Sequence, residues 1–207
     1  MRYKKLKWHV DLEPYKDALL NRDGDPRDCT IEVDLLCSIV PELKELNALL
    51  NTEGWGMIRP KTMTLPSRAW GGIHVDSSGG SRVIDLGFNI PIFNGPGMVT
   101  RWYDLSNINA PLDSINWTPS RLQEGYHQSA NEAKWFRENA EWLVAERCID
   151  NMLLDGTYLF YSGEPHNVDG RHSVIGRSML SIRWINLNTH QLMTWADRDI
   201  FTKLQLV

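Results

Sequence analysis

From Trp70 to Ile185 the chain is cut by turn residues into short apolar runs: Trp70 to Asp76, Val83 to Ile92, Gly97 to Tyr103, Cys148 to Leu154, Thr157 to Ser162 and Arg177 to Ile185. Runs of this length bounded by Gly, Pro, Asn and Asp read as strands, and Met57-Ile58-Arg59 adds another upstream. The separators include Ser77-Ser78-Gly79-Gly80, Asn94-Gly95-Pro96-Gly97 and Asp155-Gly156. The last is a strong hairpin signal, and the earlier strands read as a meander. Strands without helical crossovers pair antiparallel, and this number of them closes naturally as a jelly-roll barrel. The expected class is therefore mainly β with flanking helices.

The remaining segments are less regular. Asn21 to Asp28 is polar and carries Gly24 and Pro26, the composition of a loop. Leu36, Ile39, Val40, Leu43, Leu46, Leu49 and Leu50 recur at a helical period, which predicts a helix over about Val40 to Leu50, with Pro41 as its flaw. Leu105 to Gly125 is a long polar connection broken by Pro111 and Pro119. Asn131 to Ala145 reads either as a short helix or as the entry to a strand.

The chemistry lies on the strand runs. Residues i and i+2 of a strand point to one side, so His74 and Asp76 can grip one ion while Val75 faces away. His166, in Glu164-Pro165-His166, supplies a second imidazole from a distant run, and Arg177 opens the next. Two histidines and one carboxylate are what a non-haem iron(II) centre needs on one face of the metal, leaving the other positions open. The tripeptide alone is weak evidence. With 6 histidines and 26 acidic residues, His-x-acid arises about once by chance, and His9-Val10-Asp11 is a second copy. That copy sits in a lysine-rich segment with no strand pair around it, and reads as a decoy. His172 rivals His166 as third ligand but lies very close to Arg177. Singly, His74 also reads as a strand-end histidine, Asp76 as a turn residue, His166 as a loop histidine and Arg177 as a surface arginine; their order along the chain favours the metal site.

Composition sets the bounds. A chain of 207 residues with 42% hydrophobic and 23% charged residues suits one domain with a substantial core. Three widely spaced cysteines (Cys29, Cys37, Cys148) form neither a disulfide framework nor a zinc ribbon. With no signal-like N-terminus and no membrane-length apolar run, the chain reads as cytoplasmic. A net charge of −4 argues against nucleic acid as a partner. Nine tryptophans read as core and sheet packing before a stacking platform.

His74-Val75-Asp76, Asn89-Ile90-Pro91-Ile92, Asp155-Gly156-Thr157-Tyr158-Leu159-Phe160, Pro165-His166-Asn167-Val168 and Arg177-Ser178-Met179-Leu180-Ser181-Ile182-Arg183 resemble, in that order, the Fe(II)- and 2-oxoglutarate-dependent oxygenases, especially the small bacterial and phage-type members. The resemblance covers roughly Trp70 to Trp184. It implies a cupin-like double-stranded β-helix over 70–185 within one domain spanning 1–207. Residues 1–69 would then be an N-terminal support region and 186–207 a C-terminal extension.

It further implies Fe(II) held by His74, Asp76 and His166, with 2-oxoglutarate and O2 at the open positions. Arg177 would hold the far carboxylate of 2-oxoglutarate, a role that suits the planar fork of a guanidinium. The expected outcome is hydroxylation of a small-molecule or peptidyl substrate, unidentified, with release of succinate and CO2. Arg183, on the strand face of Arg177, and Asn89 are further candidates for cosubstrate binding; Trp102 or Tyr103, one in and one out, is a candidate for the pocket wall. The alternatives are a cupin-like metalloenzyme that does not use 2-oxoglutarate, and a catalytically inert jelly-roll module.

Overall fold

The computed structural model describes residues 2–20, 28–76, 86–106, 108 and 130–207. Ser77-Ser78-Gly79-Gly80, the start of the Val83 to Ile92 run, nearly all of the loop over 21–28 and most of the connection over 105–125 lie outside them. The described fold is mainly β. The strands are β1 (Tyr3–Lys5), β2 (Asp28–Thr30), β3 (Trp55–Leu65), β4 (Leu86–Asn94), β5 (Val99–Tyr103), β6 (Cys148–Leu153), β7 (Tyr158–Tyr161), β8 (His166–Asp169) and β9 (Arg177–Asn186). They form a six-stranded sheet of order β1-β7-β4-β9-β3-β2 and a three-stranded sheet of order β6-β5-β8. Every ladder among the described residues is antiparallel.

The meander expected over the first strands does not form. β3 pairs with β9, β4 lies between β7 and β9, and β5 lies between β6 and β8. The reason is burial on both faces. β4 and β9 are almost wholly buried, so each takes its neighbours from strands far away in sequence that complete a two-layer packing. Pro91, which lacks a ladder donor, coincides with the irregularity in the β4–β9 ladder. The Asp155-Gly156 hairpin is likewise not made: β6 belongs to the smaller sheet and β7 to the larger. This turn instead carries the chain between sheets, with the Asp155 carboxylate tied to Lys5 Nζ at 2.8 Å and to the Tyr158 hydroxyl.

After the short α1 (Lys16–Leu20), the helix expected over Val40 to Leu50 is present as α3 (Pro41–Asn51), and a further helix, α2 (Val33–Ile39), precedes it and meets it at Val40. Pro41 begins the second, where its missing N–H has no intrahelical partner to lose. Leu36, Leu43, Leu46 and Leu50 from this pair, with Phe201 of the C-terminal helix, pack against Phe88, Ile90, Leu180, Ile182 and Trp184 of β4 and β9 in the main core. The segment after Asn131 is also helical, as α4 (Ala130–Glu138) and α5 (Ala140–Glu146). Phe136 and Leu143 from it cluster with Ile73 and Tyr103.

Alternation then fixes the other face of the larger sheet. With Phe88, Ile90, Leu180 and Ile182 turned to the helices, Gly87 and Asn89 of β4 and Arg177, Met179, Ser181 and Arg183 of β9 turn toward the smaller sheet. No helix among the described residues is long and apolar enough to cross a membrane.

Candidate metal centre

Trp70 to Asp76, expected as a strand, runs beside β8 and touches it through bridges at Trp70–Asp169 and His74–His166. The backbone N–H of His74 donates to the carbonyl of His166 and the reverse, both at 2.9 Å, while Asp76 N–H donates to Ser162 O at 3.2 Å. Asp76 therefore turns to the same side as His74, as period two requires. The candidate ligand atoms of His74, Asp76 and His166 all lie within 4.8 Å of one another.

The ring orientations explain why this is a ligand set. His74 Nδ1 is 2.7 Å from the carbonyl oxygen of Gly72, and His166 Nδ1 is 2.8 Å from that of Glu164. A carbonyl only accepts, so each Nδ1 is the donor and each Nε2 is left toward Asp76, the arrangement that orients metal-binding imidazoles. His74 Nε2 is 3.3 Å and His166 Nε2 3.8 Å from Asp76 Oδ1. Three acceptors converging on one point repel unless a cation or a proton lies among them.

The ionisation pattern agrees. Burial opposes a charged His74, yet its hydrogen bond to Asp76 and the carboxylate's charge outweigh burial and raise its pKa. Burial and the neighbouring His74 push His166 down to about 4. Burial would raise the Asp76 carboxyl, but the His74 hydrogen bond, Arg183 and His166 together hold it well below the usual carboxylate range. Asp76 is thus ionised and His166 neutral at neutral pH, as a divalent ion needs, while the proton that Asp76 favours on His74 would leave as the ion enters.

The triad opens on a pocket between the two sheets, lined also by Thr100, Phe160 and Val168. Arg177 lines it and is only 3% exposed. Its Nη1 donates to Thr100 Oγ1 at 2.8 Å and its Nη2 to Met179 Sδ at 3.0 Å. Among the described residues it has no ion-pair partner. Burial lowers its pKa to about 10, so it remains a cation at neutral pH, held among the described residues by a hydroxyl and a thioether. Asn89 lines the same pocket, and its buried Oδ1 accepts no hydrogen bond among the described residues. Arg183 also lines it but is engaged: Nη2 donates to Asp76 Oδ2 at 2.7 Å.

The other candidates lie elsewhere. His9 Nδ1 pairs with Thr157 Oγ1 at 3.0 Å and Asp11 accepts the Glu13 N–H, so the second tripeptide is not part of the cluster. His172 is also outside it; its backbone lies against Gly97. Neither Trp102 nor Tyr103 is in the pocket wall. Trp102 stacks on Tyr3 with centroids 5.8 Å apart and donates Nε1–H to Tyr161 O, whereas the Tyr103 hydroxyl donates to Asn167 Oδ1. Sequence reasoning missed Thr100, Phe160, Met63, Met179 and Ser181 in the wall. Period two from Arg177 would have found Met179 and Ser181; Thr100 comes from the opposing sheet, which no local pattern reveals.

No protein-family model matches the chain, and no curated protein does. Among solved structures it is similar to HygX from Streptomyces hygroscopicus with iron bound, at 11% identity and a TM-score of 0.46, with 88% of this chain and 81% of that one covered. It is similar also to the same protein with nickel and 2-oxoglutarate bound, at 10% identity and a TM-score of 0.47, over the same shares of the two chains.

Proposed function

We propose that the chain is an Fe(II)- and 2-oxoglutarate-dependent oxygenase that hydroxylates a small-molecule or peptidyl substrate and releases succinate and CO2. What carries the reading is that one pocket holds both a two-histidine, one-carboxylate set with its ring tautomers fixed and a buried guanidinium with no anion of its own among the described residues. A buried, unpaired cation is costly, and a dicarboxylate whose other end reaches the metal would offset that cost. When bound, iron supplies the oxidising chemistry, coupling O2 activation to decarboxylation of the cosubstrate.

The chain's own residues do the rest. His74, Asp76 and His166 would hold the ion through their imidazole nitrogens and carboxylate. Arg177 offers its fork to the far carboxylate, with the Thr100 hydroxyl fixing its tilt. Asn89 would donate its amide N–H to the cosubstrate, while its Oδ1, without a partner among the described residues, would accept from a water beside it. Phe160, set edge-on to His166 with centroids 4.9 Å apart, keeps bulk water off the buried imidazole. In this reading the 70–185 strands of the two sheets form a cupin-like double-stranded β-helix, which the 1–69 support region extends by adding β1, β2 and β3 to the larger sheet, with 186–207 as an extension of one cytoplasmic domain. Nucleic acid is not a partner, in keeping with the net charge of −4.

The test is anaerobic titration of Fe(II)-loaded protein with 2-oxoglutarate, followed through the visible charge-transfer band of the chelate, with succinate measured in air. A band and succinate are expected. Metal uptake without either favours a cupin-like enzyme that does not use 2-oxoglutarate, and no metal uptake favours an inert module.

A further inference from the structure

We propose that Arg183 is a positioning residue that keeps Asp76 a one-oxygen ligand, and that the bare Cα of Gly87 provides the space in which it does so. The inference rests on the oxygenase reading above. A carboxylate with both oxygens free can close on an ion with both and occupy two coordination positions. A cosubstrate that chelates and an oxygen molecule together need every position that two imidazoles and a single carboxylate oxygen leave open.

In the structure the two oxygens of Asp76 have different partners. Oδ1 faces the Nε2 atoms of His74 and His166 at 3.3 and 3.8 Å, while Oδ2 accepts Arg183 Nη2 at 2.7 Å. The guanidinium is itself held, because Nη1 donates to Ser181 Oγ at 3.0 Å. One planar fork thus spans from its own strand to the metal ligand, which the single charge of a lysine cannot do.

The strand beside it makes room. A Cβ at position 87 would stand 2.9 Å from Arg183 Nη1 and in contact with Phe160 at 3.4 Å. Gly87 is unremarkable in backbone conformation, so its lack of a side chain matters here for space. Any larger residue would push the guanidinium off its line to Asp76.

The experiment uses Mn(II) as the probe ion, with the full chain and its Arg183→Met, Arg183→Lys and Gly87→Ala variants. Mn(II) uptake is measured by calorimetry and 2-oxoglutarate affinity by the chelate band of the Fe(II) form. The spacing of the carboxylate stretches on Mn(II) loading is read by difference infrared spectroscopy. Arg183→Met should retain Mn(II), lose about 10- to 100-fold in 2-oxoglutarate affinity, and show the narrower carboxylate splitting of a two-oxygen ligand. Arg183→Lys should recover part of the loss, and Gly87→Ala should move in the direction of Arg183→Met. Unchanged 2-oxoglutarate affinity in Arg183→Met, or parallel loss of Mn(II) and 2-oxoglutarate with no change in splitting, overturns the proposal. If Arg183→Met does not fold, Gly87→Ala decides by the same readouts. Wild-type protein that takes up no Mn(II) overturns the metal-site reading itself, and this inference with it.

Discussion

His74 and His166 are bound to each other by their backbones, N–H to carbonyl in both directions at 2.9 Å, with ring centroids 4.5 Å apart. The bridge that brings the imidazoles together does not depend on the imidazoles. Replacing either ring with Ala should therefore leave the pairing and the fold in place while abolishing stoichiometric Mn(II) or Fe(II) uptake. His9→Ala, whose ring pairs with Thr157, should leave metal uptake unchanged. Calorimetric Mn(II) titration alongside circular dichroism checks all three, and retained stoichiometric metal in His74→Ala or His166→Ala would remove the triad assignment.

Arg177 separates a 2-oxoglutarate enzyme from other uses of the triad. Its neighbours are a hydroxyl and a thioether, so Arg177→Ala removes no structural ion pair. The bound cosubstrate would then have a buried carboxylate without a partner, a loss of about 2 to 5 kcal/mol, or roughly 30- to 5000-fold in affinity. Arg177→Lys keeps the charge without the fork and should fall between. Metal affinity should be the same in all three proteins. A normal 2-oxoglutarate titration in Arg177→Ala would take the clamp away from this residue.

The parts of the site that share a strand were legible in the sequence, and the parts that meet across sheets were not. His74 with Asp76, and Arg177 with Arg183, follow from period two alone. That Arg183 would spend its charge on Asp76, and that Thr100 would hold Arg177, depend on which strands face each other, a long-range choice made by burial. The fold divides the same way. The apolar runs marked most strands, but adjacency in sequence was a poor guide to pairing, because β4 and β9 are buried on both faces and recruit distant neighbours. Asp155-Gly156 made a turn as its composition requires; whether that turn closes a hairpin or changes sheets is set by what β6 and β7 pack against. Pro41 was misread for a local reason, since a proline that flaws one long helix also begins a second one well.

Asp169 governs acid stability. It is 2% exposed and accepts Arg101 Nε at 3.1 Å, Arg171 Nε at 2.9 Å and Arg171 Nη2 at 3.0 Å. Burial would raise its carboxyl pKa, but Arg171 and Arg101 more than compensate, and the pKa is lowered. A lowered pKa means that the unfolded chain takes up the proton first as pH falls. The stabilisation is therefore complete above the unfolded value of about 3.9 and drains away as pH drops below it toward the folded value. Asp169→Asn should cost about 3 to 5 kcal/mol at pH 7, by taking the buried carboxylate from Arg101 and leaving Arg171, among the described residues, only its bond to the exposed Glu141. Urea midpoints at pH 7 and pH 3 check this: the gap between wild type and variant should narrow at the lower pH, and an equal gap at both would exclude Asp169 as the titrating group.

The turn Asn94-Gly95-Pro96-Gly97 contains two glycines that are required for different reasons. A Cβ on Gly95 would stand 2.1 Å from the Ile175 carbonyl oxygen, a backbone atom with no side-chain freedom to yield, whereas Gly97 has φ of +83° and nothing closer than 3.7 Å. Gly95→Ala must shift the 173–176 loop and should cost more than about 2 kcal/mol. Gly97→Ala meets only the left-handed backbone and should cost about 1 to 2 kcal/mol, and Gly97→Asn should cost less than Gly97→Ala because Asn tolerates that region. The two also differ in function. Gly95 N–H donates to Gly176 O, next to Arg177, and Asn94 is in register with Arg177 itself. Gly95→Ala should therefore weaken 2-oxoglutarate binding while sparing Mn(II), and Gly97→Ala should spare both. Urea midpoints give the order of stabilities, and the two titrations give the split; equal effects of the two alanines on 2-oxoglutarate affinity would mean that the turn does not set the position of Arg177.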